Sequence, residues 1–162
     1  MAPLRDLPGA PRWGAADRWH LTLLFLGDVP ADRLPALVDR AAAAVDGTPA
    51  MTLRLAGGGR FGSLRRPQVA WAGLDGDVVP LVDLAVRLTA VARSLRLAVE
   101  ERPFRPHLTL GRWRPGRPAD GAVVERLADY RGPAWPVTEV RLLDSHLGAQ
   151  PSYDTVAAWP VG

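Results

Sequence analysis

The tetrapeptide His-Leu-Thr-Leu occurs twice in this chain, at residues 20–23 and again at residues 107–110. Successive side chains of a β-strand point to opposite faces, so the histidine and the threonine of each copy share one face and the leucines share the other. Each copy therefore predicts a strand that presents an imidazole and a hydroxyl, about 7 Å apart, opposite an apolar face. Strand propensity explains Leu-Thr-Leu, but it does not explain why two of only three histidines precede it.

The composition excludes several classes of protein. The chain has no cysteine, which excludes a disulfide framework, a thiolate zinc site and a cysteine nucleophile. Its 162 residues, 48% of them hydrophobic, are enough to bury one substantial core, or two small lobes that share an interface. No uncharged apolar run approaches the length of a membrane span, and the start of the sequence lacks the apolar stretch of a signal peptide. We expect a single soluble, cytoplasmic domain over residues 1–162.

All basic side chains other than histidine are arginines, because the chain has no lysine. The formal net charge is only +3. Two arginine clusters lie near the glycine triplet at residues 57–59 and near the second tetrapeptide. They consist of Arg60, Arg65 and Arg66, and of Arg102, Arg105, Arg112, Arg114 and Arg117. Two clusters close to candidate chemistry suggest an anionic ligand. For any single arginine, a solvated loop position is an equally good explanation.

Hydrophobic periodicity and turn residues predict an alternation of strands and helices. The predicted strands cover residues 18–26, 51–55, 68–74, the second tetrapeptide, 135–143 and 152–159, the last two joined as a hairpin across residues 148–151. The predicted helices run from Pro30 or Asp32 to residue 45, over residues 77–97 and over residues 120–130, and residues 60–63 form a loop. This order predicts an α+β fold with a rough internal repetition, arranged as a pseudo-twofold pair of lobes that each carry one tetrapeptide strand.

The tetrapeptides suit phosphoryl chemistry. Two such strands facing each other would form a cleft lined by His20, Thr22, His107 and Thr109. Two imidazoles, whose reference pKa is about 6.5, can divide proton transfer, one accepting a proton from a nucleophile and one donating a proton to a leaving oxygen. The hydroxyls can donate hydrogen bonds to non-bridging phosphate oxygens, and Arg112 could add charge-assisted ones. No metal is required, because two histidines without acidic or thiolate neighbours make a poor metal site.

Other candidate residues carry weaker signals. Phe61 is either a core residue or a base-stacking platform at the mouth of a cleft, and composition favours the core. His146 has no threonine two residues later and is expected on the surface. The tryptophans are expected to pack the core rather than to form a ligand cage, and they include Trp13, Trp71, Trp135 and Trp159.

With their neighbours, both tetrapeptides resemble the motifs of the two-histidine phosphoesterases. The specific resemblance is to the bacterial and archaeal RNA 2′,3′-cyclic phosphodiesterases, also called LigT-like or 2′-5′ RNA ligase-like proteins. It is carried by His-Leu-Thr-Leu-Leu-Phe-Leu-Gly at residues 20–27 and by Pro-His-Leu-Thr-Leu-Gly-Arg at residues 106–112. Shorter stretches that also resemble the family are Phe61-Gly62 and residues 67–73 and 153–160. The resemblance covers nearly the whole chain.

The resemblance implies a bilobal α+β fold, in which two pseudo-symmetric antiparallel-sheet lobes with outer helices surround a central cleft. It implies hydrolysis of a 2′,3′-cyclic phosphate, on an RNA end or a nucleotide, to a 2′-phosphate. The resemblance implies no metal or other cofactor, no membrane association and no obligate protein partner. Family members usually begin with an apolar strand and a full helix, whereas only a helix tail at about residues 4–13 is expected here. We therefore expect a truncated N-terminus, and a sheet that truly lacks this strand would have an unpaired edge.

Carried over by position, the resemblance implies roles for six residues. The catalytic pair is His20 and His107, the phosphate is held by Thr22, Thr109 and Arg112, and the terminal base stacks on Phe61. For hydrolysis, His107 is assigned to the activation of water and His20 to protonation of the leaving 3′-oxygen. The sequence leaves this order open.

Other functions stay open at this point. A 2′-5′ RNA ligase, or a phosphodiesterase for another cyclic or oligonucleotide phosphate, would use the same residues, and no motif distinguishes them. A non-catalytic RNA-end binding module is disfavoured, since binding alone needs arginines and aromatic residues rather than two titrating imidazoles. An acyl or phosphoryl transferase is disfavoured by the lack of a phosphate-cradling glycine motif and of a Ser-His-Asp signature.

Overall fold

The structure, a computed structural model, describes residues 2–116, 121–146 and 152–162. Its elements are α1 (Ala2–Arg5), β1 (Arg12–Trp13), α2 (Leu34–Val45), β2 (Met51–Gly62), β3 (Pro67–Gly76), α3 (Val78–Ser94), β4 (Leu108–Arg112), α4 (Gly121–Ala128), β5 (Arg131–Val137), β6 (Glu139–His146) and β7 (Ser152–Pro160). The first of two compact units comprises Met1–Thr22, Leu53–Val78 and Arg105–Trp135, and the second comprises Leu23–Thr52, Val79–Phe104 and Pro136–Gly162. The predicted hairpin turn, the predicted helix start at Asp120, and Arg117 lie outside the described residues.

The first unit is built on a five-stranded sheet in the order β1-β4-β3-β2-β5. β1 pairs antiparallel with β4, β4 with β3, and β3 with β2. One face of the sheet carries the core, in which buried residues of β3, β4 and α4 meet, namely Ala70, Ala72, Leu108, Val123 and Leu127. The small alanines allow the helix to pack closely on β3. Alternate residues of these strands point to the opposite side of the sheet, which we call the far face.

An extra residue in β4 decides which of its side chains reach the far face. The register changes by one residue between Ala70 and Trp71 of β3, which leaves Leu110 of β4 as a β-bulge. Thr109 pairs with Trp71, and Arg112 pairs with Val69. Val69 lies two positions before Trp71 on β3, so the two residues point to the same face. On a regular strand, residues three apart would point to opposite faces. The bulge instead brings Thr109 and Arg112 to the same far face.

β2 is longer than the sequence predicts. The expected strand ends before the glycine triplet at residues 57–59, with a loop over residues 60–63, but β2 continues through the triplet and ends at Gly62. The triplet fits inside the strand because the register shifts there and Gly57 takes a left-handed φ of 63°. A Cβ on Gly59 would lie 3.0 Å from the ring of Trp71, so the indole packs directly on the backbone of β2. Phe61 consequently lies on a strand rather than in a loop.

The N-terminal segment also differs from the prediction. A helix tail is expected at about residues 4–13, but α1 ends at Arg5 and Arg12–Trp13 forms β1. Pro8 lacks the N–H that a continuing helix needs, and Gly9 takes a left-handed φ of 70°. The chain therefore turns after α1 and enters the sheet as an edge strand.

The second unit has a separate core. Its buried residues come from α2, from α3 and from the segment after α3, and they are Leu37, Ala92, Leu95 and Leu97. β6 and β7 pair antiparallel, as the sequence predicts, although β5 and β6 replace the single strand expected over residues 135–143. Within the described part of the chain, no helix is both long enough and apolar enough to cross a membrane.

Gly111 sets the distance between β1 and β4, and alanine at this position is expected to destabilise the fold. A Cβ on Gly111 would lie 2.6 Å from the carbonyl oxygen of Arg12 and 3.0 Å from the Cα of Trp13. We expect Gly111→Ala to lower the free energy of unfolding by about 1–3 kcal/mol, because β1 must move away from β4. Urea denaturation followed by circular dichroism measures this change.

Gly121→Ala is the matched control for this substitution. Outside its own helix, no heavy atom of the described residues lies within 4 Å of a Cβ on Gly121, the first residue of α4. We expect this variant to be as stable as the wild type, or more stable by up to about 1 kcal/mol, because alanine favours a helix over glycine. Equal free energies of unfolding for the two variants would contradict the close approach of β1 to β4.

Candidate active site

An antiparallel bridge between Leu21 and Leu108 joins the two tetrapeptides. Leu108 is only 6% exposed in the core of the first unit, and Leu21 packs against the same core. Since side chains alternate along an extended chain, the residues on either side of each leucine point to the far face. These residues are His20, Thr22, His107 and Thr109. The structure thus brings the four predicted tetrapeptide residues onto one face.

The register of the bridge sets each histidine next to the threonine of the other tetrapeptide. His20 lies across from Thr109 in this register. Thr22 likewise lies across from His107. Directly opposite residues have Cβ atoms about 4.5–5.5 Å apart, and diagonal neighbours lie about 7–8 Å apart. One tetrahedral anion above this patch is therefore within reach of both imidazoles and both hydroxyls.

The positions of the tetrapeptides correct the sequence analysis. One tetrapeptide strand is expected in each lobe, with a cleft between facing strands, but residues 20–22 and 107–109 both belong to the first unit and lie side by side. The physical reason is a shared core, because Trp19 and Leu21 pack against the same cluster that buries Leu108. The two copies of the motif are therefore not divided between the two units.

The strand predicted over residues 18–26 is reduced to one bridge. Ala16–Arg18 forms a 3-10 helix, and within the described chain Leu21 pairs only through its isolated bridge. Pro106 explains why the pairing stops, because it would face Leu23 in this register and has no N–H to donate. The residues that follow pack into the core of the second unit instead.

Both histidines are anchored by the same kind of backbone contact. Nδ1 of His20 lies 2.9 Å from the carbonyl oxygen of Arg18. Nδ1 of His107 lies 2.6 Å from the carbonyl oxygen of Arg105. A carbonyl oxygen only accepts hydrogen bonds, so Nδ1 carries the hydrogen and donates it in both rings. Nε2 is then the ring nitrogen that can accept a proton in the neutral ring and donate one in the cation.

Aromatic and cationic groups surround His107. The rings of Phe61 and His107 meet edge to face, with centroids 5.0 Å apart and planes at 88°. The Phe61 and Trp71 centroids are 5.7 Å apart. The guanidinium of Arg105 lies 4.7 Å from the centroid of Trp71 and 5.5 Å from that of Phe61. Cation–π contacts of this kind contribute about 0.5–1 kcal/mol each, and here they hold the residue whose carbonyl oxygen anchors His107.

Arg112 reaches the far face through the bulge in β4 and is exposed there. Its neighbour on the edge strand is Arg12, which lies directly opposite in the β1–β4 register. In residues 2–116, 121–146 and 152–162, neither arginine forms an ion pair with a carboxylate. The far face thus combines two histidines and two threonines with an excess of positive charge.

The family model described as the 2′-5′ RNA ligase superfamily matches residues 4–149. The chain belongs to the 2′-5′ RNA ligase superfamily. An RNA 2′,3′-cyclic phosphodiesterase of Geobacillus stearothermophilus is 31% identical over 150 residues, which are 92% of this chain but only 47% of that protein. One from Aeropyrum pernix is 29% identical over 163 residues, covering 96% of this chain and 92% of that protein. This chain thus spans about half the length of the first relative.

Solved structures confirm the predicted fold. The crystal structure of E. coli LigT complexed with 3′-AMP matches this superfamily member with a TM-score of 0.78 and 30% sequence identity. The match covers 99% of this chain and 86% of the LigT chain. The α+β two-histidine phosphoesterase fold inferred from the paired motifs is therefore the fold of this chain.

Three contributions to the site of this 2′-5′ RNA ligase superfamily member were beyond the sequence analysis. Trp71 is predicted as a core residue, but its half-buried ring packs against Arg105 and Phe61 beside the site. The anchoring role of the Arg105 carbonyl has no side-chain signal. Arg12 lies beside the site only through its pairing with Arg112. The one available signal was the position of Arg105 two residues before the second histidine, which matches that of Arg18 before the first.

The hydrogen-bond pattern predicts the tautomers of all three histidines. His20 and His107 should carry the hydrogen on Nδ1, because each Nδ1 contacts a carbonyl oxygen. His146 lies on the surface, as expected, and its Nε2 is 2.9 Å from a carboxylate oxygen of Asp154. It should carry the hydrogen on Nε2 and serves as the internal control. Long-range ¹H–¹⁵N spectra of the imidazoles at alkaline pH distinguish the two forms, and an Nε2–H form at His20 or His107 would contradict the anchoring.

Proposed function

We propose that this chain hydrolyses a 2′,3′-cyclic phosphate, on an RNA end or on a nucleotide, to a 2′-phosphate. The observation that carries the proposal is the bridged pair of His-x-Thr segments with the same Nδ1 anchor on both rings. Two imidazoles of one tautomer on one face suit a reaction that removes one proton and adds another. The relatives named RNA 2′,3′-cyclic phosphodiesterase, and LigT complexed with 3′-AMP, support the substrate class.

In the proposed reaction His107 is the base and His20 is the acid. Nε2 of neutral His107 takes a proton from water while the water oxygen forms a bond to phosphorus. The bond from phosphorus to the 3′-oxygen breaks, and Nε2–H of cationic His20 gives its proton to that oxygen. The products are a 2′-phosphate and a 3′-hydroxyl. Both rings then return to their starting states by exchanging protons with solvent.

The remaining polar groups of the patch stabilise the phosphate as charge develops. Thr22 and Thr109 donate hydrogen bonds to its non-bridging oxygens, and Arg112 adds a charge-assisted hydrogen bond. Each threonine neighbours the histidine of the other tetrapeptide, which supports a common phosphate for all four groups. No metal takes part in this scheme. Two histidines without acidic or thiolate partners are a poor metal site.

Phe61 is proposed to position His107 and to offer its ring to the terminal base. Its edge-to-face contact with His107 supports the first role. Its partial burial and the guanidinium of Arg105 over its ring support the second, since bases stack both on aromatic rings and on guanidinium planes. The cyclic phosphate and the base of one nucleotide would then contact neighbouring parts of the far face.

Substitution of either histidine by alanine should abolish most of the activity. In EDTA, with a nucleoside 2′,3′-cyclic phosphate as substrate, we expect His20→Ala and His107→Ala each to lower kcat by about 10²–10⁴-fold, the usual contribution of a general acid or base. The wild-type rate should depend on pH as a bell, since one ring must be protonated and the other neutral. Initial rates of 2′-phosphate formation measure both effects.

His146→Ala is the matched control for these variants. It removes the third histidine, which contacts Asp154 in the second unit, and should keep the wild-type rate. Activity that survives both tetrapeptide substitutions would contradict the paired-histidine mechanism. Activity lost in EDTA and restored by a divalent metal would contradict the metal-free scheme.

A further inference from the structure

Strand β1 is only two residues long, yet it brings an arginine to the candidate site. Trp13 packs against the core of the first unit, so Arg12, the residue before it, points to the far face. Arg12 lies directly opposite Arg112 of β4. Neighbouring strands are about 4.8 Å apart, so the two arginines start from adjacent backbone positions.

This pairing is unfavourable without an anion. Like charges directly opposite each other on two strands destabilise the pair. In the described ranges 2–116, 121–146 and 152–162, no carboxylate ion-pairs with Arg12 or Arg112. The absence of a side chain on Gly111 nevertheless lets β1 approach β4 closely. A phosphate between the two guanidinium groups would replace repulsion by charge-assisted hydrogen bonds.

The arginine pair lies beside the histidine patch, not within it. Arg112 pairs with Val69, and Thr109 pairs with Trp71, two residues farther along β3. Two residues of a strand span about 7 Å. Leu21 and Arg12 pair with the same edge of β4, so Arg12 follows His20 along that edge as Arg112 follows Thr109 along β4. A phosphate at Arg12 is therefore a second phosphate, at a distance that one ribose and its 5′ bridge can span.

We propose that Arg12 binds the internucleotide phosphate on the 5′ side of the terminal nucleotide, and that Arg112, with its five N–H donors, donates to this phosphate as well as to the reacting one. This inference rests on the proposed hydrolysis and adds the residue by which the site distinguishes an RNA strand from a free nucleotide. A free nucleoside 2′,3′-cyclic phosphate has no 5′ phosphate and gains nothing from Arg12. The strand should consequently be the better substrate.

The test compares kcat/KM of the wild type and of Arg12→Ala on three substrates. These are a nucleoside 2′,3′-cyclic phosphate, a dinucleotide that ends in the same group, and that dinucleotide with a neutral methylphosphonate linkage. We expect Arg12→Ala to lower kcat/KM about tenfold for the charged dinucleotide, through loss of a charge-assisted hydrogen bond, and to leave the other two nearly unchanged. The negative slope of log kcat/KM against log salt should become less steep by about 0.7 in Arg12→Ala, for the charged dinucleotide alone.

Arg93→Ala is the matched control, because it removes the same charge from the exposed last turn of α3 and should behave as the wild type. An equal loss on all three substrates would overturn the inference, since Arg12 would then act on the reacting phosphate or on the fold. An unchanged kcat/KM for the charged dinucleotide would overturn it as well. A wild-type chain that hydrolyses none of the three would overturn the proposed function itself, and the inference with it.

Discussion

The bridge between Leu21 and Leu108 is the constraint on which the candidate site depends. Burial of a leucine side chain is worth about 1.5–3 kcal/mol, so the shared core holds both segments in one register. The histidines and threonines reach the far face only because the leucines between them face the core. A slip of one residue would turn His20 toward the core and Leu21 toward the far face, since the side-chain period of a strand is two. Hydrophobic packing thus fixes where the polar chemistry lies.

The backbone supplies what the leucines cannot, the orientation of the imidazoles. Each ring donates from Nδ1 to the carbonyl oxygen two residues earlier, at Arg18 and at Arg105. The two carbonyls belong to unlike segments, because a 3-10 helix ends at Arg18 while Arg105 stacks on aromatic rings. The same local geometry is therefore stabilised in two different ways. Both rings therefore have the same tautomer, with the hydrogen on Nδ1. The proposed reaction requires this form, because it exchanges one proton at Nε2 of each ring.

The repeated tetrapeptide was enough to predict the family, the α+β fold and the four residues that meet at the bridge, because a repeat of rare residues is visible in one sequence. The predicted division of the tetrapeptides between two lobes was wrong, because a local sequence pattern does not show which segments share a core. Arg112 was predicted to bind phosphate from its charge and from its position in the family motif, but its place on the far face depends on the bulge at Leu110. Trp71 and Arg12 were missed for the same reason, since cross-strand register decides their neighbours.

The central claim is that both tetrapeptides act on a single phosphate. A crystal structure of the chain with the product, a nucleoside 2′-monophosphate, tests it most directly. We predict one phosphate within hydrogen-bond distance of Nε2 of His20 and of His107, and of the hydroxyls of Thr22 and Thr109. A phosphate that contacts only one tetrapeptide, or that is bound by Nδ1 of either histidine, would contradict the account.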